Sequence, residues 1–149
     1  MIPWVPGEDE ENLEVSNLSE LASTIAKINY DALDRSDLLL ANIGPFRGPH
    51  MDVGTAFEIG YFFAQKKPVV LYYHQKENVL SDRITQSHGK DDKGYGSQGY
   101  LIEDFGWHEN LMIENVIHAQ KEWSNKLPEK IHFSLQDAIE TIIQWNKNN

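Results

Sequence analysis

Two short apolar runs on either side of a glycine- and proline-rich turn constrain this chain more than any other feature. Leu38-Leu39-Leu40-Ala41-Asn42-Ile43 is continuously apolar until Asn42, and Pro68-Val69-Val70-Leu71-Tyr72-Tyr73 is a second such run. Runs of this length without polar alternation suit parallel strands covered on both faces. Pro68 is tolerated because it stands at the first strand position. Between the runs, Gly44-Pro45-Phe46-Arg47-Gly48-Pro49-His50 can continue neither element. A helix is predicted from about Thr55 to Lys66, with Phe57, Gly60, Tyr61 and Ala64 near one side. This order of elements predicts an α/β fold with a doubly wound parallel sheet and helices on both faces. Sites in such folds form beyond the carboxyl ends of the strands.

The flanking segments fill in the rest of one domain spanning residues 1–149. The first eleven residues, acidic and proline-containing, predict a loop. Asn17-Leu18-Ser19-Glu20 predicts a helix N-cap. Behind it Leu18, Ala22, Ile25, Asn29 and Leu33 share one helical face, and the helix should end near Arg35-Ser36. Residues 74–100 are polar and contain glycine, which predicts one long loop of the kind used as a lid or partner surface. A helix is expected from Asn110 to about Ala119, and a short edge strand at Lys130-Ile131-His132-Phe133. The last helix runs from Leu135 to Trp145, with Leu135, Ile139, Ile142 and Ile143 as its apolar stripe. Two strong strands and a third candidate are few for a doubly wound sheet. The expectation is that the first strands are missing from this chain or that a partner completes the sheet.

Composition narrows the function classes. With 40% apolar and 24% charged residues, the 149-residue chain has a globular profile. No run approaches the ~20 apolar residues that span a bilayer, and Met1-Ile2-Pro3-Trp4-Val5-Pro6 has no signal-peptide character. The absence of cysteine removes disulfides and thiolate chemistry and fits a reducing, cytoplasmic setting. A formal net charge of −10 opposes binding to nucleic acid or anionic membrane and favours small, weakly charged substrates. His88, His108, His118 and His132 are too scattered for metal-ligand spacing, so neither a metal nor another cofactor is expected. Trp4, Trp107, Trp123 and Trp145 read as packing residues rather than as a stacking platform.

Asp52-Val53-Gly54-Thr55-Ala56-Phe57-Glu58-Ile59-Gly60 follows the turn and places one carboxylate at a helix mouth and another in its first turn. Gly54 permits a tight turn, and Gly60 permits close approach by a ligand or a neighbouring element. A carboxylate near a helix N-terminus is held as the anion, which suits attack on an anomeric carbon. Glycoside chemistry commonly divides the work between two carboxyl groups. The competing reading is architectural: Thr55-Ala56-Phe57-Glu58 is a good capping box in which Glu58 reaches the Thr55 amide, while Asp52 closes the turn. Arg47 could meet a substrate anion or pair with a loop acid. Asn29 could be a satisfied interior amide or a ligand to sugar or base.

Asn29, the stretch from Ser36 to Gly48, Asp52 to Gly60, and Asn110-Leu111-Met112 resemble nucleoside 2-deoxyribosyltransferases, most closely their short branch with protozoan members. The resemblance runs from residue 1 to roughly the last helix and implies a flavodoxin/Rossmann-like fold. It implies that Glu58 is the nucleophile forming a glycosyl-enzyme intermediate and that Asp52 contacts and helps protonate the base. Asn110 resembles an asparagine that a neighbouring subunit contributes to orient nucleophile and sugar, and Met112 lies at a position lining the site. Phe46, Arg47 and Gly54 fall in the matching stretch and are expected beside the substrate. Asn29 stands where some members carry an aspartate and the short branch an asparagine. An amide there can hydrogen-bond but cannot transfer a proton as an acid does. Family members also open with a strand, a glycine-proline turn and a helix ahead of the segment matching residues 1–6. The implied partners are a nucleoside or nucleotide, a free nucleobase and further copies of the chain in a homo-oligomer. Two alternatives stay open: an N-glycoside hydrolase using the same carboxylates, and a non-catalytic nucleotide-binding or subunit-interaction protein.

Overall fold

A computed structural model describes residues 17–124 and 127–148. The chain divides into two compact units, Met1–Asp37 and Leu38–Asn149. The loop expected over the first eleven residues and the packing role of Trp4 lie outside the described residues.

In the first unit, α1 spans Leu18–Arg35. Asn17 Oδ1 accepts a 2.9 Å hydrogen bond from the Glu20 amide, satisfying one of the free donors at the helix start. At the other end Ser36 turns extended while its amide still donates to the Ala32 carbonyl. Both ends agree with the sequence pattern.

The second unit is built on two parallel strands, β1 (Leu39–Asn42) and β2 (Val69–Tyr72), in register from Leu39 opposite Val69 to Asn42 opposite Tyr72. Between them runs α2 (Val53–Ala64), whose Ile59 and Phe62 are fully buried. Among the described residues five further helical pieces follow: α3 (Leu80–His88), α4 (Leu111–Glu114), α5 (Val116–Ala119), a 3-10 turn (Gln120–Glu122) and α6 (Leu135–Lys147). Val70 of β2 packs with Leu127 and with Ala138 and Ile142 of α6, and Leu38, Leu40, Tyr72 and Trp145 border this cluster. Side chains alternate across a strand, so Ala41, Val69 and Leu71 belong to the opposite face, and α2 packs on both strands. The result is an α/β fold with a parallel sheet flanked by helices, as the sequence order predicts.

Several local expectations are corrected. The second long helix starts at Val53 rather than Thr55, because Asp52 and not Thr55 supplies the cap. Residues 74–100 are not one loop: they contain α3, whose buried side includes Leu80, Ser81 and Arg83. Its polar composition hid it, since its burial depends on a charged residue. The helix expected from Asn110 to Ala119 is broken at Asn115, which ends α4 and begins α5. On α6 the buried residues are Ala138 and Ile142, whereas Leu135, Ile139 and Ile143 of the predicted stripe are exposed.

The expected edge strand at residues 130–133 shrinks to a single parallel bridge between Tyr72 and His132. The reason lies on the outer edge of β2. His132 donates its amide to the Leu71 carbonyl at 3.0 Å and accepts from the Tyr73 amide at 2.8 Å. Farther along, the buried Gln120 carboxamide takes the place of a strand. Its Oε1 accepts from the Val69 amide and its Nε2 donates to the Val69 carbonyl, both at 2.9 Å. One side chain thus does for Val69 what a third strand would do, and buried main-chain groups must be paired somehow.

Replacing Gln120 by Leu leaves the Val69 amide and carbonyl unpaired in the interior. The expected cost is about 2 kcal/mol or more, measured as a drop in unfolding free energy by chemical denaturation. A variant as stable as the parent would show that water or a shifted strand replaces the carboxamide.

Candidate functional site

The site builds outward from the carboxyl end of β1. Asn42 Oδ1 accepts from the Gly44 amide at 2.9 Å, a local turn that ends the strand. The chain then makes a tight loop closed by the Phe46 amide donating to the His50 carbonyl at 2.8 Å. Arg47 holds a left-handed backbone at φ 54°, uncommon for a residue other than glycine. Its guanidinium lies 4.8 Å from the Phe46 ring centre, so Arg47 is stacked on its exposed neighbour.

Asp52 caps α2. Its Oδ2 accepts from the Thr55 amide at 2.9 Å and lies 3.4 Å from the Thr55 hydroxyl. This decides the capping question: the Thr55 amide already has its carboxylate, and Glu58 sits one turn deeper in the helix. Gly54 serves this arrangement differently from the tight turn expected of it. A Cβ at Gly54 would stand 2.9 Å from Asp52 Oδ2, closer than a carbon and a carboxylate oxygen can sit. At Gly60 a Cβ would meet nothing within 4 Å, so no close approach within the described chain requires that glycine.

Glu58 is half-buried. Its pKa is raised above 4.5, first by burial and then by the negative charge of Asp52. The expectation that the helix N-terminus would hold Glu58 as the anion is therefore reversed. The Thr55 amide goes to Asp52, and Glu58 feels desolvation and a like charge.

Asn110 caps α4, its Oδ1 accepting from the Met112 amide at 2.9 Å. Met112 is exposed. A link between Asn110 and the Asp52 segment runs through a residue the sequence did not single out. Glu109 is buried, and its carboxylate accepts from the Met51 amide at 2.8 Å and the Asn110 amide at 2.9 Å. It also pairs with His50 Nδ1 at 3.0 Å and with Arg83 at 3.5 Å. An isolated glutamate beside a candidate asparagine carries no sequence signal of burial, and Arg83 lay in a stretch expected to be loop. Asn29 lies on α1 in the first unit, where its Oδ1 has no hydrogen-bond partner among the described residues.

A cavity of about 400 Å³ lies beside this network, with His50, Leu80, Ile84, Tyr100, Ile102 and Asn110 among its walls. Asp52 and Glu58 are not among them. No described group of three or more His, Asp or Glu side chains is arranged to hold a metal ion, and no described helix is long and apolar enough to cross a membrane.

The parallel sheet thus carries Asp52 at the cap of α2 and Glu58 one turn further in. The chain belongs to the nucleoside 2-deoxyribosyltransferase family, whose model matches residues 1–112. That match ends at Met112, short of the last helix to which the sequence resemblance extended. A curated relative, an uncharacterized protein of Schizosaccharomyces pombe, is 28% identical over 156 residues, covering 93% of this chain and 71% of that protein. Among solved structures, a 2-desoxiribosyltransferase from Leishmania mexicana superposes with a TM-score of 0.65 at 22% identity, covering 96% of this chain and 76% of its own. At that identity the likeness establishes the fold.

The raised pKa of Glu58 has a stability consequence. A carboxyl group that binds its proton more tightly when folded stabilises the protein below its unfolded pKa, and loses that contribution as pH rises through its folded value. Glu58→Gln, neutral at every pH, should therefore melt higher than the parent at pH 7. The electrostatic part of the gap should close as pH falls below 4.5. A pH-independent loss of stability would instead mark a structural hydrogen bond at Glu58. For Gly54→Ala, the helix gains about 1 kcal/mol of propensity while the Asp52 carboxylate is displaced. Thermal melts should move little, while the Thr55 amide, followed by hydrogen exchange, should lose protection.

Proposed function

We propose that this protein is a nucleoside 2-deoxyribosyltransferase that exchanges the base of a 2'-deoxynucleoside through a deoxyribosyl-glutamate intermediate. The observation that carries the reading is the Asp52–Glu58 pair. One carboxylate is held by the Thr55 amide, and the other is released from capping and half-buried within reach of its charge. Both lie in the region matched by the family model.

In the first step a Glu58 carboxylate oxygen attacks C1', the C1'–N bond breaks, and the departing base takes a proton relayed from solvent through the Asp52 carboxylate. In the second, a nitrogen of the incoming base attacks C1', the ester to Glu58 breaks, and the N–H proton of that base leaves to solvent through Asp52. Desolvation of Glu58 favours this chemistry, because an anion stripped of water gains more from bonding to an electron-poor carbon than a hydrated one. Asn110 orients nucleophile and sugar, Asn29 hydrogen-bonds the base, and Phe46, Arg47, Gly54 and Met112 line the substrate. Val53, Phe57 and Met112 expose apolar surface on α2 and α4, which supports a homo-oligomer in which a second copy completes each site.

Incubation with a purine 2'-deoxynucleoside and a different free base, followed by chromatography, should yield a new deoxynucleoside. Release of base without a new nucleoside would replace transfer by hydrolysis, and ligand binding without either would leave a non-catalytic protein. Glu58→Ala should fold and lose turnover by about 10⁴-fold or more. The parent's acid limb should have its midpoint above 4.5, because the nucleophile must be ionised. Asp52→Asn removes the like charge, so its slower residual reaction should show that limb at lower pH. An unmoved limb would remove Glu58 from the titration.

A further inference from the structure

Glu109 and Arg83 form a buried ion pair whose contacts converge on the two segments that carry the candidate site. Both side chains are 5% exposed or less. Arg83 Nε donates to the Pro49 carbonyl at 2.7 Å, Nη1 to the Asn78 carbonyl at 2.7 Å and the Tyr73 hydroxyl at 3.4 Å, and Nη2 to the His108 carbonyl at 2.5 Å. The guanidinium also lies 5.3 Å from the Tyr73 ring centre. With the 3.5 Å contact to Glu109, every nitrogen of the fork is engaged, which a planar five-donor group achieves only in a fixed orientation. Glu109 uses both oxygens. Oε2 accepts from the Met51 amide, while Oε1 accepts from the Asn110 amide and faces His50.

The choice of targets separates this pair from an ordinary staple. Met51 immediately precedes Asp52, the cap that orients α2 and charges the surroundings of Glu58. The Asn110 amide belongs to the residue proposed to orient nucleophile and sugar. A neighbouring carboxylate, buried Glu114, accepts from the His108 amide at 2.6 Å and the Glu109 amide at 3.3 Å, so the main chain carrying Glu109 is itself fixed. We propose that Glu109, held by Arg83, is a positioning residue that fixes both the Asp52 segment of its own site and the Asn110 that the same chain presents to a neighbouring copy's site. Its charge does not touch substrate; its two oxygens act as a ruler between two backbone amides. For its kinetic readout the inference rests on the proposed exchange reaction, and for its structural readout on this geometry alone.

Glu109→Gln tests it. The carboxamide has one acceptor where two are needed, so its NH2 must face either the Met51 or the Asn110 amide, donor against donor. Base exchange should lose about 100-fold in kcat, the effect of misplacing reacting groups by about an ångström, with KM within about threefold of the parent. Hydrogen exchange at Met51 or Asn110 should accelerate. Gln120→Leu is the stability-matched control: it should lower the melting temperature and leave kcat unchanged. If Glu109→Gln does not fold, Glu109→Asp keeps the buried charge while withdrawing the oxygens by about one bond length, 1.5 Å, and the same losses are expected. A folded Glu109 variant with parental kcat overturns the proposal, as does a kcat loss matched by Gln120→Leu at equal destabilisation. If the parent exchanges no base, the proposed function fails, and amide exchange alone decides. Unchanged protection at both Met51 and Asn110 then overturns the inference, and faster exchange at either supports it.

Discussion

The larger unit depends on keeping β2 hydrogen-bonded on both edges. A four-residue strand buried between helices cannot leave main-chain groups bare on one side, and β1 covers only the other. His132 and the carboxamide of Gln120 close the open edge from two different parts of the chain. Among the described residues this makes β2 a central strand without a regular third strand, and α5 and α6 pack against it.

At the carboxyl end of β1 one side chain has two consequences. Asp52 satisfies the Thr55 amide, and its charge raises the proton affinity of Glu58. The donors it accepts from are neutral, so they orient the carboxylate without cancelling it. A lysine or arginine in the same place would have held Asp52 equally well and removed its influence on Glu58. The helix N-terminus thus works as a mount for one acid and leaves its neighbour a costly anion, an arrangement that local stability does not favour.

The strand-helix-strand core was legible because uninterrupted apolar runs bounded by glycine and proline have few structural meanings. α1 was legible because Asn17 and the spacing behind it agree. What failed shares one cause, the tertiary use of polar residues. α3 looked like loop because Arg83 points inward; the edge strand expected at residues 130–133 is a single bridge, and a glutamine side chain pairs Val69 farther along. The Thr55 capping box looked sound because Asp52 and Thr55 both fit a cap, and only geometry shows which acts. Candidate residues Asp52 and Glu58 could be named from the sequence, but the division of labour between them could not. Glu109 was invisible because nothing in its neighbours predicts a buried carboxylate.

Three carboxylates therefore occupy this end of the sheet in three electrostatic states. Glu109 is deepest, and it is accompanied by Arg83, so its charge is largely neutralised close by. Asp52 is only partly buried and has neutral donors. Glu58 has burial and no compensating cation among the causes that shift it. A chain of net charge −10 could easily have let every acid here raise the next. Asp52 is the charge that acts on Glu58, adding to the larger effect of burial, and the start of the helix dictates where Asp52 sits. On the proposed reading, the acids of this site divide two tasks that are usually mixed: Glu109 sets distances, and Asp52 adds to the charge that Glu58 feels.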